Sequence, residues 1–198
     1  NGDYMTFADY MEEIYLPYYR QTVQSVTYKT ALTHHKMFIE VFGQKRLSAI
    51  TVRDCEQFRV HLIDTYSPNY AKGVWIRFKQ CLGYAERLQI IEEFPCKMLD
   101  NPKGSRPDTK FWTLDDFRKV IATFDLTDYE ELHRFTAIWL YFFTGLRVSE
   151  GLSLIWSDID FDRKLLHVQS TLEYEGNGVF TRKNQTKTAA GNRWLELD

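Results

Sequence analysis

Cysteine is scarce in this sequence. Only Cys55, Cys81 and Cys96 occur, an odd count with no C-x-x-C pair. That argues against a disulfide framework and a thiolate zinc site, and fits a chain kept in a reducing cytoplasm. Long apolar runs are lacking too. The longest, 135–143, contains Trp139 and Tyr141 and stops at Thr144-Gly145, far short of the ~20 residues that span a bilayer. The N-terminus, Asn1-Gly2-Asp3-Tyr4-Met5, lacks the basic-then-apolar order of a secretory signal. There is no basic excess: 25 Lys and Arg face 27 Asp and Glu, for a net charge of −2. Bulk charge therefore does not call for nucleic acid, although a local basic stripe would suffice. Internal repeats and low-complexity segments are absent.

What is present is an ordinary globular composition, 44% hydrophobic and 26% charged over 198 residues, enough for one large domain or two small ones. The charge is sorted along the chain. Residues 101–110 carry three basic groups against one acid and 181–190 three against none, whereas 121–132 carry four acids and no base.

The first half reads as helices. Thr6 caps one that runs through Tyr10, Ile14 and Tyr15 to a break near Pro17. A second spans 26–42, with Ala31, Leu32, Phe38 and Phe42 on one face and Gly43 as its stop. Thr51 caps a third over 52–65, with Cys55, Phe58, Val60 and Leu62 among its apolar positions. Ser67-Pro68 opens a fourth over 68–90. On this fourth helix Tyr70, Val74, Phe78, Cys81, Leu82, Ala85 and Leu88 share one face, and Asn69, Lys72, Lys79, Gln80 and Arg87 the other. The second face is either a solvated bundle surface or a basic strip for a phosphate backbone.

Pro95, Pro102, Pro107, Gly104, Asn101 and Ser105 mark a linker over 92–110, which also carries Lys97, Lys103, Arg106 and Lys110. The expected domains are thus 1–105 and 106–198. In the second, Thr113 caps a helix over 114–123, and Thr127 or Asp128 opens another to Phe143. Strand patterns follow: 165–168, continued by 171–174 toward the turn Gly176-Asn177-Gly178, then 179–181 and 193–197. The fold class is mainly α with a small antiparallel sheet. Three strands with nothing after them to cover their apolar face suggest that the polypeptide continues past Asp198.

The sharpest local feature is Thr144-Gly145-Leu146-Arg147-Val148-Ser149-Glu150. An arginine set between apolar stretches must find anions. Glu150 lies one helical turn on, so the two form either a self-contained structural pair or a fork preorganised for a phosphate. Lys187, in the small polar stretch 184–193, reads by itself as a solvated loop charge. Other chemistry is weak. His35 falls on the apolar face of its helix beside His34, His133 and His167 have no ligand spacing, and the cysteines fit core positions.

The run Thr144-Gly145-Leu146-Arg147-Val148-Ser149-Glu150-Gly151-Leu152, followed by Leu154 and Trp156-Ser157-Asp158-Ile159-Asp160, resembles the first catalytic motif of the tyrosine recombinases, the phage integrase family. Thr186-Lys187-Thr188 before a strand is similar to that family's β-hairpin lysine. Residues 1–105 are similar to its SAM-like four-helix core-binding domain, in the style of integrases from phages and integrative conjugative elements of Gram-positive bacteria. Residues 106–198 are similar to the N-terminal half of its α+β catalytic domain. The resemblance implies that Arg147 contacts the scissile phosphate, that Glu150 supports the site, and that Lys187 is the general acid toward the leaving 5′-oxygen. It implies no metal and no nucleotide cofactor, and double-stranded DNA as partner, held by Lys72, Lys79, Arg87, Lys103, Arg106 and Lys110. It further implies a homotetramer on two DNA sites when full length, acting in the bacterial cytoplasm at the nucleoid, with no membrane association.

The sequence also departs from the family. No His-x-x-Arg follows Lys187, no histidine follows His167, and the last of the 12 tyrosines is Tyr174, so none holds the nucleophile's place. The expectation is a DNA-binding piece of a recombinase that forms a 3′-phosphotyrosyl link elsewhere in its chain. The alternatives are a non-catalytic DNA-binding regulator with the same fold, and a helical module that binds protein.

Overall fold

A computed structural model describes residues 4–106, 108–184 and 189–197. Three of its helices open with the same four-residue signal. Thr6, Thr51 and Thr113 each accept the backbone N–H of the aspartate three residues on (Asp9, Asp54, Asp116), and each aspartate accepts the threonine N–H in return. Two orphan donors are satisfied at every such start.

The chain falls into two compact units, 1–108 and 109–198. In the first, α1 (Phe7–Asp9) runs without interruption through a π turn (Tyr10–Tyr15) into α2 (Leu16–Thr22). Pro17 therefore does not break the helix, contrary to the sequence reading. In an α-helix its ring would press on the carbonyl four residues back. Here the wider π turn, closed by the Leu16 N–H on the Met11 carbonyl, relieves that clash and puts Pro17 in the first turn of α2, where proline is tolerated.

α3 (Ser25–Phe42), α4 (Val52–Thr65) and α5 (Pro68–Arg87) complete the bundle. Its core is aromatic: Phe42 stacks on Phe78 at 4.9 Å, and Phe58 stands edge-on to both at 5.4 and 5.1 Å. α5 stops three residues before the expected 90, where Gln89 turns left-handed at φ +57°. Its buried stripe is Ala71, Val74, Trp75, Phe78, Cys81, Leu82 and Ala85. Tyr70 and Leu88, expected there, are 36% and 45% exposed. Tyr70 lies ~100° round the helix from Ala71, and Leu88 falls past the last helical residue. Val60 is also exposed, while Cys55, Cys81, Cys96 and His35 are buried.

In the second unit, α6 (Leu114–Ile121) packs on α7 (Tyr129–Thr144) through Phe117 stacked on Phe142 at 4.1 Å. α7 ends at Gly145, whose φ of +62° suits glycine, and whose N–H closes on the Tyr141 carbonyl at 3.1 Å. The short α8 (Val148–Gly151) follows. Strands β1 (Ile159–Asp160), β2 (Leu165–Val168) and β5 (Arg193–Glu196) form one antiparallel sheet in the order β1-β2-β5, while β3 (Thr171–Gly176) and β4 (Val179–Lys183) form a separate hairpin. The sequence reading had 171–174 continue 165–168 in one three-stranded sheet. It does not, because two polar residues intervene and both are anchored elsewhere. The Gln169 amide donates to Asp158 at 2.8 Å, and the buried Ser170 hydroxyl meets that of Ser153 at 3.0 Å. The hairpin turns at Asn177-Gly178, both at positive φ, as the turn signal predicted. A small core of Leu146, Leu166 and Val168 joins the β1-β2-β5 sheet to the segment after α7. Among the described residues no helix is long and apolar enough to cross a membrane.

Candidate functional site

Gly145 and Leu146 set the position of Arg147. The left-handed turn at Gly145 redirects the chain, Leu146 is buried in the small core, and Arg147 caps α8. The sequence reading expected an arginine enclosed by apolar stretches. The structure reverses the pair: the Arg147 side chain is 59% exposed and Glu150 is 1% exposed. The buried ion is the acid, because donors gather around it. Glu150 accepts from Arg147 Nη1 at 2.8 Å and from the Arg147 backbone N–H at 3.0 Å. It also accepts from Arg193 Nη2 at 3.1 Å and Nη1 at 3.4 Å. Burial pushes the Glu150 carboxyl up. The hydrogen bonds from Arg193 and Arg147 more than reverse this and hold its pKa at about 2. Glu150 is thus an anion at any physiological pH.

Sequence reasoning did not find Arg193. A signal was available: strand alternation puts it on the same side as Leu195, which packs on the core. A second buried acid was missed in the same way. Asp158 is held by Arg182 Nη2 at 3.0 Å, by Gln169 and by the Ile155 N–H. Arg182 also donates from Nε to the Ser153 carbonyl at 2.8 Å. Ser153 in turn donates to the Glu150 carbonyl at 2.7 Å. The residues that follow Arg147 are therefore pinned to β4 and β5 through two arginine–carboxylate contacts. Gly151 contributes by its lack of a side chain: a Cβ there would lie 2.4 Å from the Tyr141 hydroxyl, which bonds the Val148 carbonyl.

Lys187, the remaining residue of the expected catalytic set, lies outside the described residues. Of the expected DNA contacts, Lys72, Arg87, Lys103, Arg106 and Lys110 are exposed. Asn69 accepts the Ser105 N–H at 3.0 Å, and Gly104 sits against the Lys72 side chain. The linker cations Lys103 and Arg106 are thereby drawn to the α5 face that carries Lys72. Arg87 lies over the Tyr84 ring at 5.2 Å. Lys79 is committed internally: its ammonium donates to the carbonyls of Lys97 and Leu99 at 3.2 and 2.8 Å. Among the described residues no group of three or more His, Cys, Asp or Glu is placed to hold a metal ion.

Residues 6–63 match the family profile of the phage integrase N-terminal SAM-like domain. The chain is 29% identical over 127 residues to the ICEBs1 integrase of Bacillus subtilis (strain 168), a match covering 64% of this chain and 34% of that protein. It is 34% identical over 87 residues to a tyrosine recombinase of Thermosipho africanus (strain TCF52B), covering 44% of this chain and 30% of the relative. The chain thus spans about a third of the length of these curated relatives. The fold superposes on the Tn1549 transposon integrase in complex with a circular intermediate DNA, with a TM-score of 0.78 at 17% identity, over 98% of this chain and 61% of that one. Residues 6–63 are thus similar to the phage integrase N-terminal SAM-like domain, and the chain as a whole shares the fold of the Tn1549 integrase, with the arginine motif at 144–152 seated in it.

Proposed function

We propose that this chain is the DNA-binding and phosphate-positioning part of an integrase that moves a mobile genetic element by site-specific cutting and rejoining of DNA strands. The observation that carries the reading is the Arg147–Glu150 site, an exposed guanidinium braced on a fully buried, permanently ionised carboxylate. Such a group cannot relax into the core and is complementary to a phosphate oxyanion. It does by fixed charge what a metal ion does elsewhere, stabilising negative charge that develops on phosphorus. In this reading residues 1–105 are the core-binding domain and residues 106–198 the first part of the catalytic domain. Lys72, Arg87, Lys103, Arg106 and Lys110 lie along the DNA backbone, and Lys79 holds the 97–99 turn. Lys187 protonates the leaving 5′-oxygen. The tyrosine nucleophile lies outside these 198 residues, and the full-length protein works as a tetramer on two DNA sites.

Fluorescence anisotropy of the chain on a labelled duplex of ~30 base pairs from the end of its host element, against a scrambled duplex, tests this. The expected result is preference for the element end and an affinity that falls steeply with salt, as phosphate contacts require. Equal binding to both duplexes, or binding indifferent to salt, overturns it.

A further inference from the structure

Glu150 is surrounded by more positive charge than the arginine motif supplies. One carboxylate meets two guanidinium groups, Arg147 and Arg193, so the cluster carries a net +1. With Arg147 alone the pair would be neutral and self-sufficient, and an isolated arginine–carboxylate pair favours the two-point fork contact that consumes both ends of the guanidinium. Arg193 prevents that. Its Nη2 and Nη1 reach Oε2 and Oε1 of Glu150 at 3.1 and 3.4 Å, and Nη1 also donates to the Gly191 carbonyl at 3.0 Å, which fixes the plane of its guanidinium. Arg147 is left a single side-chain contact, Nη1 to Oε1 at 2.8 Å. Among the described residues no protein acceptor takes its Nε or Nη2. The cluster thus holds one arginine by both ends and the other by one.

We infer that Arg193 is a positioning residue: it occupies Glu150 so that the guanidinium of Arg147 keeps donors and net charge available for a DNA phosphate. The inference rests on the reading of Arg147 as a phosphate ligand.

The test is a double-mutant cycle on the whole chain, read by duplex affinity and its salt dependence. Arg147→Ala is expected to weaken binding about tenfold and to lower the salt slope by about one. Arg193→Gln and Arg193→Lys are each expected to weaken it about fivefold, the second because a lysine keeps the charge but not the planar fork. In the Arg147→Ala background neither should have any further effect, since Arg193 acts through Arg147. Additive losses would mean that Arg193 meets DNA by itself, and parental affinity in both Arg193 variants would mean that it positions nothing. Either result overturns the inference while the phosphate reading stands. Parental affinity in Arg147→Ala would remove the phosphate reading, and the inference with it. Circular dichroism and a thermal melt check each variant's fold. Should these Arg193 variants unfold, Arg193→Met, which keeps the apolar stem and removes the donors, replaces them in the same cycle, and parental affinity in it or losses additive with Arg147→Ala overturn the inference.

Discussion

His35 is 1% exposed, and neither ring nitrogen has a hydrogen-bond partner among the described residues. The rings of Tyr15 and Tyr19 stand edge-on to it at 5.6 and 4.9 Å, and Phe38 lies at 5.9 Å. Burial pushes its pKa down to about 4, and the cationic Arg77 and neighbouring His34 push the same way. The folded chain therefore holds His35 neutral where the unfolded chain, near pH 6.5, takes up a proton. Stability is fully present above about pH 6.5 and is lost as pH falls toward 4, by about 3 kcal/mol at the end of that window. Urea unfolding at several pH values should show the slope in the parent and a shallower one in His35→Phe, since His34 is also held down by burial; equal slopes would assign the effect to other groups. This histidine was legible from the sequence because its helix has an unambiguous apolar face. Arg147 and Glu150 were legible because they lie three residues apart. Arg193 was not, since it meets Glu150 across 43 residues of chain, and Arg182 meets Asp158 across 24. No local pattern encodes either pairing: the first needs β5 docked on β2, and the second needs the separate β3–β4 hairpin in place.

Among the elements, the turn from α7 to α8 is the most constrained. Gly145 holds φ at +62°, and nothing lies within 4 Å of where a Cβ would be. Its replacement is therefore penalised by backbone conformation alone. Gly145→Ala should cost about 1 kcal/mol and should weaken duplex binding as well, because the same turn places Arg147; a stability loss with parental binding would separate the two. Helix starts were the most readable elements. Thr6, Thr51 and Thr113 each announce a helix through a carboxylate three residues on, and all three boxes form. Pro17 misled because a π turn is a tertiary accommodation with no sequence signature of its own. The break between β2 and β3 was hidden for a related reason: Gln169 and Ser170 are compatible with a strand, and leave it only because Asp158 and Ser153 hold them.

The whole molecule divides where the composition shifts. The expected boundary at 105/106 lies within an exposed stretch, 103–112, in which every described residue is open to solvent, and the compact units meet at 108/109. Limited trypsin digestion should therefore cut first after Lys103 and Lys110, sparing Arg106 because Pro107 follows it. Two fragments of roughly half the chain should accumulate; early cleavage within α3 to α5 would instead show that the first unit is not independently stable. The capping boxes have a consequence in time as well. Each links residues only three apart, so three helix starts can be set before any distant part of the chain has been found. The pairing of β5 with β2 must instead close a long loop, which is slow. The contact between Arg147 and Glu150 thus needs only local structure, and the one from Arg193 needs β5 in place. A chain in which α8 has formed and β5 has not yet paired leaves its arginine and its acid to satisfy each other, and by the inference above it is β5 that frees the arginine.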